Sequence, residues 1–160
     1  MKKQIFLIAL YSCLLLLVSR CAHSKSDSEY VYSEQFIKYT SEVHGFTPQK
    51  GRVYYLIDMF SCDPCINANL RLLSELEKNE NLEIIYINRP RFNTWNSQIE
   101  DINKKFNYLT DTGGEANLFE LGLFKPLLLV FGENEVKDFM NISDFEIEKA
   151  RRFLDQHLNN

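Results

Sequence analysis

No apolar run in this sequence is long enough to cross a bilayer as a helix. The longest, Ile5 to Val18, has 14 residues and would reach only ~21 Å into a hydrocarbon core ~30 Å thick. Positive charge is also scarce, with 18 Lys and Arg against 22 Asp and Glu, a net charge of −4. Three of those bases, Lys2, Lys3 and Arg20, stand in the first twenty residues, which contain no acid. The remainder therefore carries 15 bases against 22 acids, a net −7. With no basic stripe and no interleaved aromatics, it has none of the electrostatic footprint of a nucleic-acid binder. Internal repeats and low-complexity tracts are absent. Cysteine is sparse too: the four residues Cys13, Cys21, Cys62 and Cys65 contain a single Cys-x-x-Cys pair. A structural zinc site wants four nitrogen or sulfur ligands, and no second such pair or paired histidine supplies them. His23 lies in a polar segment, while His44 and His157 lie at helix ends where the dipole favours them, so no chemistry is assigned to any of the three. What remains, at 160 residues with 45% hydrophobic and 13% aromatic content, is one globular domain with an N-terminal extension.

The extension, residues 1–20, has a basic start followed by an apolar run too short to span, the pattern of a signal peptide and hence of export. Its end, "LVSRC", resembles a lipobox, which implies cleavage before Cys21 and lipidation of that residue. Arg20 departs from the pattern, because lipoprotein processing takes a small side chain at that position. Cys13 follows the small Ser12, but cleavage there would split the apolar run. A short uncleaved anchor is the alternative. Residues 21–32 are then a lipidated tether between membrane and domain, and residues 33–160 the folded domain. Cys62 and Cys65 would be the only unmodified cysteines of the mature chain, an isolated pair and not a disulfide scaffold.

Within the domain, Ser33 to Val43 is expected to be a helix with Ser33 as N-cap, ended by His44-Gly45. Arg52 to Met59 has the β-rich apolar character of a central strand. From Cys62 a helix follows, with Ile66, Leu70, Leu73 and Leu76 on one face. Leu82 to Ile87 is a second buried strand. Ser97 to Phe106 is expected to be helical, and Glu115 to Leu121 a short helix closed by Gly122. Leu127 to Phe131 and Glu135 to Phe139 form a hairpin. Ser143-Asp144-Phe145-Glu146 has the spacing of a capping box for a last helix, with Phe145, Phe153, Leu154 and Leu158 along one side. This order predicts an α/β fold, a mixed four-stranded sheet with helices on both faces.

Strand, then Cys62-Asp63-Pro64-Cys65 opening a helix, then Pro126 entering a β-hairpin and a terminal helix: this string resembles the thioredoxin fold. The exported context narrows the resemblance to the TlpA/ResA-like thiol–disulfide oxidoreductases, over roughly Arg52 to Leu158. "CDPC" matches the family's Cys-x-Pro-Cys form, and "LFELGLFKPLLLVFGENEV" is similar to its segment around a cis-proline. The resemblance implies a cis peptide before Pro126, facing the cysteines and presenting backbone to an incoming chain. Two departures stand out. Ser61 replaces the family's tryptophan before the first cysteine, and Lys125 stands where Thr or Val is usual.

The residues give their own reason for the chemistry. A cysteine at a helix N-terminus sits over unpaired N–H groups and the positive end of the dipole, which stabilise the thiolate. Cys62 is accordingly the nucleophile, and Cys65, one turn further in, the resolving thiol. Pro64 lies where its missing N–H costs little and stiffens the loop. Asp63 opposes thiolate formation and favours the disulfide, whereas Lys125 would offset it if aimed at the sulfurs. Asp58, at the end of the strand, is either a proton relay to Cys65 or a strand-end aspartate exposed to water or capping the helix. Arg89 and Arg91, near Trp95, form either a substrate-facing patch or a solvated loop.

Two functions are thus carried forward. The first is a membrane-tethered oxidoreductase, needing no cofactor, that acts on disulfides of envelope proteins and is recharged by a membrane electron donor. The second is a redox-silent thioredoxin-like lipoprotein that binds a partner.

Overall fold

The computed structural model describes residues 29–87, 97–143 and 145–159. The expected signal peptide, Cys21, most of the tether, the Arg89–Arg91–Trp95 loop and Asp144 lie outside the described residues.

Five strands form one sheet. In chain order the elements are α1 (Ser33–His44), β1 (Val53–Asp58), α2 (Asp63–Glu75), β2 (Leu82–Ile87), α3 (Ser97–Asn103), β3 (Asn107–Asp111), a 3-10 turn (Glu115–Leu118), β4 (Leu127–Phe131), β5 (Val136–Asn141) and α4 (Ile147–Leu158). The strands run in the order β3-β2-β1-β4-β5. β1, β2 and β3 are parallel, and β4 is antiparallel to both β1 and β5. This is a mixed α/β sheet, with a βαβ unit followed by an antiparallel hairpin and a terminal helix.

β1 and β4 are continuous apolar runs because the sheet is covered on both faces. Side chains alternate across the pleat. Tyr55 and Ile57 join Ile66, Leu70 and Leu73 of α2, Ile99 and Ile102 of α3, and Ala150 and Leu154 of α4. Tyr54 and Leu56 meet Phe36 and Tyr39 of α1 on the other side, with Ala116, Leu127, Leu129 and Phe131. Each Leu, Ile or Phe so buried contributes roughly 1.5–3 kcal/mol. The core is rich in tyrosine, and each hydroxyl is satisfied: Tyr30 donates to the Leu121 carbonyl at 2.7 Å, Tyr54 accepts from the Gln49 N–H at 2.9 Å, and Tyr86 donates to Asn103 at 3.2 Å. Tyr30 is 6% exposed, so the packed domain includes residues ahead of Ser33. Among the described residues no helix is long and apolar enough to cross a membrane.

Several expectations change. The sheet has five strands, not four, because Asn107–Asp111 pairs in parallel with β2. Ser33 is the first helical residue and Tyr32 the N-cap; the Ser33 hydroxyl donates to the Tyr30 carbonyl and accepts from the Val136 N–H, so it joins α1 to β5. α3 ends at Asn103 rather than Phe106, and Glu115–Leu118 is a 3-10 turn rather than an α-helix. The expected capping box does not form: α4 begins at Ile147, with Glu146 as N-cap, and the Ser143 hydroxyl bonds the Glu146 carboxylate instead of an N–H. With that, Phe145 leaves the apolar side of the helix and is 98% exposed. The end of α1 is as expected. Gly45 takes φ 72°, and its N–H and that of Phe46 reach back to Ser41 and Thr40, closing the helix.

Candidate redox site

β1 carries the chain to the site and a short turn aims it. The Met59 N–H still bonds the β2 carbonyl of Ile87 at 3.0 Å. The Asp58 carboxylate then accepts the Phe60 N–H at 2.9 Å, and its carbonyl accepts the Ser61 N–H at 3.0 Å. By the alternation along β1, Asp58 falls on the face of Tyr54 and Leu56, opposite α2. In that position it closes the turn that presents Cys62.

Cys62 is the N-cap of α2, in extended conformation with φ −61° and ψ 139°, and no side chain caps the helix. Its sulfur therefore has no competitor for the unpaired amides of the first turn. Asp63 and Pro64 follow inside that turn. Cys62 is exposed and Cys65 half-buried. The two are joined by a disulfide, with Cα atoms 5.3 Å apart, inside the usual span. An outward sulfur at a helix mouth and a shielded sulfur one turn behind it can exchange a disulfide with a partner.

Antiparallel pairing brings the later segment to the same end of the sheet. The last β1–β4 pair is Leu56 with Leu127. One step further sets Pro126 beside Ile57, and Lys125 beside Asp58. Pro126 is buried and Lys125 exposed. The peptide before Pro126 is trans, since no cis peptide occurs among the described residues, which corrects the expectation of a cis bond. Trans is the default for an X–Pro bond by roughly 0.5–1 kcal/mol, and here the Pro126 carbonyl accepts the Ile142 N–H at 2.8 Å, prolonging the β4–β5 ladder.

Tyr55 and Asn69 belong to the site's support and were not expected from the sequence. Asn69 is 2% exposed. Its amide donates to the Cys65 carbonyl at 2.6 Å, and its oxygen accepts the hydroxyl of the fully buried Tyr55. This pair ties the Cys65 turn of α2 to β1. The available signal was a polar residue four after Cys65 on the same face as Leu70 and Leu73. Replacing Asn69 with leucine strands the Tyr55 hydroxyl in an apolar layer and is expected to cost about 1–3 kcal/mol. Adding Tyr55→Phe should recover much of that loss, because both polar partners are then gone. Urea unfolding of the two single variants and the double variant checks this.

Among the described residues, no group of three or more His, Cys, Asp or Glu is arranged to hold a metal ion. No family model matches the chain, and no curated protein matches it. A solved structure similar to it is that of a secreted disulfide oxidoreductase of Mycobacterium tuberculosis, homologous to E. coli DsbE, at 17% identity, covering 66% of this chain and 84% of that one with a TM-score of 0.39.

Proposed function

We propose that this protein is an exported, membrane-tethered thiol–disulfide oxidoreductase acting on disulfides of envelope proteins. The observation that carries the reading is the exposed Cys62 at the uncapped mouth of α2, bonded to the half-buried Cys65. In the reduced protein the Cys62 thiolate attacks one sulfur of a client disulfide. The client S–S bond breaks, a client thiolate leaves, and a mixed disulfide forms. Cys65 then gives up its proton and attacks the Cys62 sulfur. The second client thiol is released and the Cys62–Cys65 bond closes, two electrons having passed to the client. Returning to the dithiol takes two electrons, and we assign these to a membrane dithiol donor. The apolar N-terminal run and Cys21 support the tether, and the TlpA/ResA-like resemblance supports the envelope client.

The second reading, a redox-silent lipoprotein that binds a partner, draws on Asp63, an acid directly beside the nucleophile, and on Ser61 in the tryptophan position. One experiment separates the two. The full chain with Cys65→Ala, expressed in its native envelope, should accumulate a covalent adduct that a reducing agent releases, while Cys62→Ala should form none. Equal absence of adducts in both variants would leave the binding module standing.

A further inference from the structure

Asn69 places a side-chain amide in a layer that is otherwise apolar, with Ile66, Leu70 and Leu73 of the same helix in one core cluster. A leucine there would bury no polar group. The amide has one possible orientation. The Cys65 carbonyl only accepts, so it faces Nδ2 at 2.6 Å, and the Tyr55 hydroxyl donates to Oδ1. Tyr55 is fully buried in the middle of β1, between Ile84 of β2 and Leu128 of β4. Central strands are among the last parts of a fold to open. The two bonds thus make one path from the centre of the sheet to the Cys65 peptide. The start of α2 has few other restraints. Cys62 caps the helix without a side-chain bond, and the Ile66 N–H reaches the Cys62 carbonyl at 3.1 Å. In the oxidised protein the disulfide also holds this turn, with the two Cα atoms 5.3 Å apart. Once Cys62 carries a client that link is open, and helix ends fray.

We infer that Asn69, anchored by Tyr55, is a positioning residue for the closing step, holding the Cys65 turn in place while Cys62 is bonded to the client. The inference rests on the oxidoreductase reading and assigns the residues that set the rate of its second half. In that step the Cys65 thiol gives its proton to water and its thiolate attacks the Cys62 sulfur. The bond from Cys62 to the client breaks, and the client sulfur leaves as a thiolate. Such an attack tolerates little displacement, since a shift of ~1 Å costs about a hundredfold in rate. The first attack is different: Cys62 makes it on a sulfur that the client brings, and the Cys65 turn takes no part. Stability alone does not call for the polar pair, because two apolar side chains of the same shape would be nearly neutral in its place.

Acid-quenched mass analysis of the pre-reduced full chain mixed with oxidised glutathione reads both halves. The glutathione mixed disulfide forms at Cys62 and then decays to the Cys62–Cys65 disulfide. In Tyr55→Phe with Asn69→Leu, the ratio of the closing rate to the attack rate should fall by at least about tenfold. That variant has lost both polar partners together, so its fold is expected to hold and the fall to report position. Tyr55→Phe alone, which deletes one hydroxyl, should show a smaller fall in the same direction. Leu73→Ala opens a cavity under the same helix without touching the path, so it should lose stability yet keep the ratio within about twofold. An unchanged ratio in the double variant, or an equal fall in Leu73→Ala, would overturn the inference and leave the oxidoreductase reading standing. Should the double variant not fold, Tyr55→Phe decides, and an unchanged ratio there has the same meaning. Absence of any mixed disulfide in the unaltered protein would instead overturn the oxidoreductase reading, and the inference with it.

Discussion

Cys62→Ala should lower the disulfide-exchange rate by on the order of a thousandfold or more, to the background of uncatalysed thiol exchange. The effect is this large because no other sulfur at the site can substitute. Cys65 is half-buried one turn inside α2, whereas Cys62 is exposed at its mouth. Cys65→Ala should behave differently. Its first attack proceeds at a comparable rate, but turnover stalls at the mixed disulfide, because resolution has lost its nucleophile. A burst of one equivalent followed by arrest, seen by quenched-flow and mass analysis, is the expected signature. Similar steady rates for both variants would exclude the sequential roles assigned to the two sulfurs.

Asp111→Ala should be among the most damaging changes away from the cysteines, at about 2–4 kcal/mol. Asp111 is 1% exposed at the end of β3. Its carboxylate accepts the Glu115 and Ala116 N–H groups at 2.9 and 2.8 Å and the Tyr39 hydroxyl at 3.3 Å. His44 closes the chain of contacts, with Nε2 3.1 Å from that hydroxyl. Removing the carboxylate leaves three donors without an acceptor and separates β3 from α1.

The same cluster sets the acid side of the stability profile. Burial pushes the Asp111 carboxyl up, yet bonds from the Glu115 side chain, the Ala116 and Glu115 N–H groups and Tyr39 outweigh it and hold it below the ordinary 3.8. That stabilisation is complete above 3.8 and is lost as pH falls through the depressed value. Burial also lowers His44 from 6.5, against the pull of Asp111 and Glu83. The unfolded chain therefore binds that proton first, and stability begins to fall as pH drops below 6.5. Glu115 runs the other way, raised by its bond to Asp111, so its contribution fades as pH rises through its own value. Urea midpoints measured from pH ~7.5 down to ~2 should show both acid losses, the upper one absent in His44→Gln and the lower one in Asp111→Ala.

The cysteine strand and helix were legible because each is dictated locally. β1 is an unbroken apolar run, and α2 repeats its apolar residues every three or four positions behind a Cys-x-Pro-Cys start. β3 was not legible. Asn107 and Tyr108 are exposed, and Leu109 and Thr110 only half-buried, so the segment has no period of its own and takes its conformation from β2. Phe145 misled in the opposite sense, since its spacing from Phe153 and Leu154 suits a helix that in fact begins two residues later. The peptide before Pro126 was inferred from resemblance alone, and no local rule favours the cis form. The Tyr55–Asn69 bond needs a strand and a helix to meet, which no single window of sequence contains.

The covalent link between Cys62 and Cys65 encloses two residues and lies wholly within one turn of one element. Closing so short a ring removes little freedom from a disordered chain, so the scaffold does not depend on whether the link is open or shut. Reducing the link is therefore expected to leave the urea midpoint of the domain nearly unchanged. Under the proposed function, the two redox forms would then be told apart at the sulfurs themselves and not by a change elsewhere in the fold.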